Sequence, residues 1–205
     1  MENLASVDGG AIITANHFNP MDNTVIRHLA MKCGKGKKLS IMVQESNIFM
    51  KGFFGFLMRN CKTVPVSSDS GYLARRLKPA IKGMLERGEW LLIYPEAEMW
   101  FNYKKPRPHK EGAYYYAEEF DVPVIPTFIE QREIDGYDGS GLRRVKYILH
   151  VMPPIYPDKT LGKRERRRKM LDEDLRLKAD CYERAYGIKL TEDFLPERDI
   201  AGYWE

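Results

Sequence analysis

Short apolar runs rich in branched residues alternate along the chain with longer segments of helical periodicity. The apolar runs predict six strands, at Ala11–Ala15, Leu39–Val43, Thr63–Val66, Trp90–Tyr94, Val124–Ile129 and Lys146–Met152. The periodic segments predict helices at Asn23–Cys33, Gly71–Glu86, Gly112–Phe120 and from about Gly162 to Tyr186. Because buried strands alternate with helices, the pattern predicts an α/β fold: a single domain with a mostly parallel mixed sheet flanked by helices.

The composition narrows the class of protein. With 43% hydrophobic and 30% charged residues in 205, the chain is neither disordered nor collagen-like, and its length fits one domain. No run of consecutive residues of the types AVILMFWYC is longer than five, and the first residues do not resemble a signal peptide. The three cysteines are far apart, so they offer no zinc-site spacing and indicate a reduced, cytoplasmic setting.

The positive charge is concentrated near the C-terminal helix. Residues 159–169 hold seven basic and one acidic side chain, so the rest of a chain of net charge +4 is net −2. This block is either an anionic-membrane contact, at about 1 kcal/mol per cation, or a solvated run balanced by the acidic tail. An apolar stripe follows it, so we predict a catalytic domain over residues 1–158, with the helix and tail of residues 159–205 packed on it.

Two of the predicted strands end in polar residues. The strand at Ala11–Ala15 runs into a segment with His17 and Asp22, and the strand at Trp90–Tyr94 runs into Glu96. In parallel sheets the crevice at the carboxyl ends of the strands is the usual place for chemistry. If the two strands are parallel neighbours, these three side chains open into one crevice.

His17 and Asp22 have the residue types of a general base and its orienting carboxylate. Asn19 is suited to cap the next helix and Pro20 to open it, which places Asp22 in the first helical turn and His17 on the loop before it. The carboxylate would fix the imidazole tautomer and leave the other nitrogen free to take a proton. Since no serine or cysteine lies beside His17, the base would act on a substrate hydroxyl or on water. A coincidental spacing is the alternative.

Four motifs in this order resemble those of the glycerolipid (1-acyl-sn-glycerol-3-phosphate) O-acyltransferase family. They are Asn16-His17-x4-Asp22, Val64-Pro65-Val66-Ser67-Ser68, Tyr94-Pro95-Glu96 and Val122-Pro123-Val124-Ile125-Pro126, with Lys110-x-Gly112-Ala113 between the last two. The resemblance implies a glycerol-3-phosphate acyltransferase-like fold. It also implies transfer of a fatty acyl group from acyl-coenzyme A or acyl carrier protein to a lipid hydroxyl, with no cofactor, no metal and no covalent intermediate.

The resemblance also implies roles for single residues. His17 would deprotonate the acceptor hydroxyl and Asp22 would orient His17, whereas Pro123 and Pro126 would shape the acyl site. The residues expected to bind substrate are Asn16, Glu96, Ala97, Lys104, Lys105, Arg107 and Lys110.

Departures from the family motifs put recognition of a phosphate-bearing acceptor in doubt. The third motif has Ala97 and Met99 in place of its glycine and arginine, and the second has Ser68 in place of its arginine. Arginines at these places bind phosphate in the family. The loop over residues 100–110 has four Lys or Arg side chains among aromatics. It would contact phosphate from new positions, bind a different head group or coenzyme A, or simply be a solvated loop.

Residues 48–58 contain four phenylalanines and one charged side chain. This composition predicts either a buried helix or an apolar surface that contacts lipid or lines the acyl tunnel. Family members usually carry a membrane-associating helical segment before the first motif. Because fifteen residues precede Asn16, we expect weaker anchoring here.

We therefore predict an O-acyltransferase of phospholipid biosynthesis that acts on lysophosphatidic acid or a related lysophospholipid at the inner face of the membrane. The alternatives are the same chemistry on a non-phosphate lipid acceptor, or a non-catalytic module that binds lipid or acyl carrier protein. The expected partners are membrane lipids and the acyl donor. The basic aromatic loop also fits single-stranded nucleic acid, but no nucleic-acid-binding module accompanies it, and we expect no such partner.

Overall fold

Six strands form one sheet in the order β3-β2-β4-β1-β5-β6. This computed structural model describes residue 4, residues 7–139 and residues 141–203. The strands are β1 (Ala11–Thr14), β2 (Leu39–Gln44), β3 (Thr63–Val66), β4 (Trp90–Ile93), β5 (Val124–Tyr137) and β6 (Arg143–Val151). Strands β1 to β5 are parallel and β6 is antiparallel to β5. The prediction of a single α/β domain with a mostly parallel sheet is confirmed. The predicted division into residues 1–158 and 159–205 begins at residue 1 and ends at residue 205, and these two residues lie outside the described part of the chain.

Helices flank the sheet. They are α1 (Asn23–Lys32), α2 (Glu45–Ile48), α3 (Gly52–Asn60), α4 (Ser70–Tyr72), α5 (Lys78–Glu86), α6 (Gly112–Glu119), α7 (Lys163–Tyr186) and α8 (Pro196–Asp199). A π-helical stretch at Leu73–Leu77 joins α4 to α5, so the helix predicted at Gly71–Glu86 is one continuous helical segment. The short helices α2 and α8 were not predicted. Across the part of the chain that the structure describes, every helix is too short or too polar to cross a bilayer.

The central strands β1 and β4 are buried on both faces, which accounts for their uninterrupted apolar sequences. On one face, Ile13 packs in a core with Ile26 and Leu29 of α1. On the other, Ile12 packs in a second core with Ile81 of α5 and with residues of α6 and α7. The sheet therefore holds the strand that leads to His17 between two layers of helix.

Strand β5 is much longer than predicted. The apolar pattern ends at Ile129, but backbone pairing with β6 continues to Tyr137, with a register shift between Glu133 and Tyr137. The outer part of the strand is largely exposed and polar. Its backbone is satisfied by its neighbour rather than by burial, so a hydrophobic pattern does not reveal it.

The basic block of residues 159–169 is paired with carboxylates of this chain. The ion pairs are Lys159–Asp121, Lys163–Glu119, Arg166–Glu118, Arg167–Glu118, Arg168–Asp172 and Lys169–Asp158. Glu118 and Glu119 lie in the last turn of α6, beside the start of α7. These carboxylates offset the unfavourable position of cations at a helix N-terminus. The geometry favours a balanced charge run over a membrane contact for this block.

Candidate active site

The segments that follow β1 and β4 leave the sheet at the same edge. The two strands are parallel neighbours, with Thr14 opposite Ile93 in the register. The chain after β1 reaches His17, and the chain after β4 reaches Glu96, whose Oε2 accepts a hydrogen bond of 3.2 Å from the His17 backbone N–H. The two polar strand ends thus meet, as their order in the sequence predicted.

His17 and Asp22 form a close pair across a tight loop. His17 Nδ1 lies 2.8 Å from Asp22 Oδ2, and the histidine side chain is 24% exposed whereas that of Asp22 is fully buried. The backbone N–H groups of Phe18 and Asn19 also donate to Asp22 Oδ2, at 3.0 and 3.3 Å. The buried carboxylate therefore holds the loop that carries the histidine.

The helix begins later than the sequence predicted. Helix α1 starts at Asn23, so Asp22 is its N-cap residue rather than a member of its first turn. Asn19 Oδ1 accepts from the Met21 N–H at 2.9 Å, which closes a turn over Pro20 instead of capping a helix. The reason is that the Asp22 side chain points back to the loop, where it accepts three hydrogen bonds through Oδ2.

This arrangement suits His17 for proton transfer. A carboxylate on Nδ1 favours the tautomer whose proton is on Nδ1, and it stabilises the imidazolium that forms when Nε2 takes a proton. Because the side chain is partly exposed, a ligand can reach the ring from the protein surface.

Tyr94 contacts both members of the His17–Asp22 pair, and the sequence did not predict this role for it. Its hydroxyl donates a 2.6 Å hydrogen bond to Asp22 Oδ1, and its ring stacks on the His17 ring with centroids 4.0 Å apart at 19°. Burial, followed by the charge of Asp22, raises the pKa of Tyr94 well above its usual value, so the hydroxyl remains a donor. The available signal was a tyrosine where the resembling motif has phenylalanine.

Glu96 and Arg107, both predicted to bind substrate, are bound to each other. Arg107 Nη2 and backbone N–H donate to the buried Glu96 carboxylate at 2.8 and 3.1 Å, and the guanidinium lies 4.7 Å from the centre of the Trp100 ring. Burial raises the pKa of Glu96, while the charge of Arg107 acts against this. The pair fastens the loop after β4 to the His17 backbone, and a role of either residue in substrate binding stays a prediction.

The other cations of the loop are also less available than predicted. Lys105 is buried, where its Nζ lies 3.0 Å from Asp199 Oδ2 and donates to the Thr191 carbonyl at 3.1 Å. Lys104 is half-buried near the Tyr186 ring, and burial lowers its pKa. Lys110 is exposed. Lys105 is thus paired with a carboxylate far along the chain, and its contact with substrate stays a prediction.

The side chain of Asn16 hydrogen-bonds to the backbone of strand β5. Its Nδ2 donates to the Ile129 carbonyl at 3.1 Å, and its Oδ1 accepts from the Ile129 N–H at 2.8 Å. The buried amide thus extends the β1–β5 pairing beyond the end of β1, and its expected role in substrate binding stays a prediction.

The remaining motif residues shape the backbone. Pro126 pairs with Thr14 in the register, and the Pro123 carbonyl accepts from the Ile12 N–H at 3.0 Å. Both prolines form the wall where β5 meets β1, and a role in acyl binding stays a prediction. Ala97 is exposed with φ of 64°, a conformation that favours glycine. The turn thus keeps the backbone shape of a glycine motif without the glycine.

A second histidine–aspartate contact lies under the sheet. Asp174 of α7 accepts hydrogen bonds of 2.7 Å from Thr14 and from Tyr114, and pairs with Lys178 at 2.9 Å. His109 Nδ1 lies 2.5 Å from the Tyr114 hydroxyl and 3.8 Å from Asp174. Burial lowers the pKa of His109 to about 3. We name Thr14, His109, Tyr114, Asp174 and Lys178 the buried cluster.

Within residues 7–139 and 141–203, histidine, cysteine, aspartate and glutamate side chains form no group of three that could hold a metal ion. His17 and its carboxylate are the groups of the described site that are suited to proton transfer.

Comparisons with known proteins agree with this architecture. Residues 1–130 match the model of the family described as Acyltransferase. Among solved structures, the chain is similar to the crystal structure of the 1-acyl-sn-glycerophosphate (LPA) acyltransferase, PlsC, from Thermotoga maritima. The two share 20% identity with a TM-score of 0.60, over 93% of this chain and 71% of that chain. At this identity the likeness shows the fold. No curated protein matches the chain.

Proposed function

The chain belongs to the acyltransferase family, and on that basis we propose that it transfers a fatty acyl group to a hydroxyl of a lysophospholipid. Acyl-coenzyme A or acyl carrier protein would be the donor, and 1-acylglycerol-3-phosphate O-acyltransferase is the specific activity that we propose. The observation that carries the proposal is the partly exposed His17 ring, whose Nδ1 is held by the buried carboxylate of Asp22.

The proposed mechanism uses the side chains of the chain itself. His17 Nε2 takes the proton of the acceptor hydroxyl while that oxygen attacks the thioester carbonyl carbon. The carbon–sulfur bond then breaks, and the leaving thiolate takes the proton from the imidazolium. Asp22 stabilises the imidazolium between these steps. Because the loop from Asn16 to Asp22 contains no serine or cysteine, we propose direct transfer without an acyl-enzyme, metal or further cofactor.

A specific observation favours a second candidate acceptor, a lipid without phosphate. Lys105 and Arg107 are engaged by Asp199 and Glu96, so two of the four cations of the loop are not available to an anionic head group. The loop exposes Trp100 instead. The same chemistry on a neutral lysolipid or monoacylglycerol follows as the alternative.

We further propose that helix α3 and the residues just before it touch the lipid surface. Phe49, Phe53 and Phe56 are 75%, 68% and 56% exposed, which is unusual for large aromatic side chains. Lys51 and Arg59 are exposed in the same segment, so cations accompany the apolar side chains. This combination is typical of peripheral contact with an anionic bilayer, such as the inner face of the cytoplasmic membrane.

Transfer assays test the function. Labelled acyl-coenzyme A and acyl carrier protein are supplied with lysophosphatidic acid, lysophosphatidylcholine and monoacylglycerol, using wild type, His17→Ala and the control His28→Ala on α1. We expect transfer by wild type and His28→Ala only. Equal transfer by His17→Ala would overturn the mechanism, and no transfer to any acceptor would favour a non-catalytic binding module.

Vesicle flotation tests the lipid contact. With anionic vesicles, we expect the double change Phe53→Ser, Phe56→Ser to weaken binding about tenfold or more, because two exposed rings lose their contact with the bilayer. The matched control is Tyr137→Ser, which removes an exposed ring from the outer end of β5. Equal binding by the double variant and wild type would contradict the proposal.

A further inference from the structure

The two oxygens of the Asp22 carboxylate are engaged by different elements. Oδ2 faces the loop that carries His17, and Oδ1 accepts the hydrogen bond of Tyr94, at the end of β4. We propose that Tyr94 is a positioning residue for the His17–Asp22 pair. Its hydroxyl fixes the carboxylate, its ring fixes the imidazole, and together they set the pH at which the base becomes active. This inference rests on the proposed function.

The hydroxyl restrains the carboxylate from the side opposite to the histidine. The hydrogen bond from Tyr94 to Asp22 Oδ1 is 2.6 Å long, the length of a charge-assisted contact. Asp22 is fully buried, so water cannot readily replace a lost donor. The carboxylate plane is therefore held at both oxygens, and with it the direction of the His17 ring.

The ring of Tyr94 has a separate role. It stacks on the imidazole at 4.0 Å with an interplanar angle of 19°, which limits rotation of the histidine about its side-chain bonds. Phenylalanine would keep this stacking and remove only the hydroxyl. The two contributions can thus be separated by one substitution.

The hydroxyl of Tyr94 also reduces the electrostatic stabilisation that Asp22 gives to the imidazolium of His17. A donated hydrogen bond draws negative charge away from His17 towards the phenol. Without it, the carboxylate would stabilise the protonated histidine more strongly, and the base would become active at a higher pH. The other charged or titratable groups around the pair are Glu96 and Arg107 after β4, Tyr147 of β6, and Lys178 of α7, which acts on Glu96.

The first test is Tyr94→Phe, measured by NMR titration of His17 in 15N-histidine-labelled protein and by the pH dependence of kcat/KM. We expect both midpoints to move upward by about half a pH unit, a threefold change in proton binding. The control is Tyr182→Phe, which removes a buried hydroxyl from a ring packed on Phe128 and should move neither midpoint. A loss of thermal stability with both midpoints unchanged would overturn the inference, because Tyr94 would then have a merely structural role.

The second test strengthens the hydrogen bond instead of removing it. Replacing Tyr94 by 3,5-difluorotyrosine retains the ring and makes its hydroxyl a stronger donor, so the NMR midpoint of His17 should move downward. This variant keeps the inference testable if Tyr94→Phe does not fold. If wild type transfers no acyl group, the proposed function fails, but the NMR midpoints still decide the role of Tyr94. An unmoved midpoint with active transfer contradicts the inference alone.

Discussion

Two histidine–aspartate contacts flank the end of the same strand, β1, and their surroundings differ in almost every respect. His17 Nδ1 lies 2.8 Å from Asp22, and its ring is partly open to the crevice. His109 Nδ1 lies 3.8 Å from Asp174, and both side chains are wholly enclosed. In the second contact, the Tyr114 hydroxyl lies close to both side chains, and Lys178 is the salt-bridge partner of the aspartate.

The difference shows that residue types alone do not make a reactive pair. Although burial raises its pKa, the charge of Lys178 holds the pKa of Asp174 below its usual value, so the carboxylate remains an anion with a permanent cationic partner. His109 stays neutral because burial lowers its pKa to about 3. Within residues 7–139 and 141–203, Asp22 pairs with His17 and Tyr94 rather than with a lysine, and the partly exposed His17 side chain distinguishes this pair from the enclosed one.

The largest expected effect separates the two histidines by activity. His17→Ala should lower kcat/KM by about 10³ with little loss of stability, because general-base catalysis contributes 10²–10⁴. His109→Asn, which keeps a polar atom near the position of Nδ1, should change the rate per folded molecule less than about threefold. Steady-state kinetics at matched folded concentration provide the measurement. Similar losses in both variants would remove the distinction.

The next effect separates the two aspartates by stability. Asp174→Ala leaves Lys178 buried without its partner and should lower the free energy of unfolding by about 3–5 kcal/mol. The double change Asp174→Leu, Lys178→Met removes both charges and should recover most of that loss. Urea unfolding measures both. If the double variant is no more stable than the single one, an unpaired charge is not the cause.

The buried histidine should also make stability depend on pH. The unfolded chain binds a proton at His109 below its ordinary pKa of 6.5, whereas the folded chain does so only below about 3. Stability from this group is complete above pH 6.5 and is lost as the pH falls towards 3, by up to about 1.4 kcal/mol per pH unit. His109→Asn should flatten this part of the urea-unfolding profile. Profiles of equal slope would contradict the prediction.

The smallest effect concerns the loop that frames the open pair. Ala97 has φ of 64°, which an alanine adopts only with strain. Ala97→Gly should raise the free energy of unfolding by about 0.5–1 kcal/mol and leave the pH profile of transfer unchanged. Thermal unfolding and transfer assays measure the two quantities. If Ala97→Gly lowers the stability, the extra conformational entropy that glycine loses on folding outweighs the relief of backbone strain.

The sequence predicted the parts of this molecule that depend on local pattern. Apolar runs located β1 and β4, and their polar ends led to His17 and Asp22. The pattern did not reveal that Lys105 and Arg107 are neutralised, because the partner of Lys105, Asp199, comes from a distant segment. The buried cluster was missed for a similar reason. Asp174 and Lys178 look like members of a solvated helix face until the fold places them under Thr14.

The contact between Lys105 and Asp199 bears on the order of events during synthesis. The ribosome makes the loop beside His17 well before it makes α7 and α8. Lys105 therefore leaves the ribosome before its partner Asp199 has been made. Asp199 can pair with Lys105, and the Thr191 carbonyl can accept its hydrogen bond, only after these later segments have emerged. The Lys105 contact is therefore completed late in translation, and a chain that stalls before α8 would lack the carboxylate partner of this lysine.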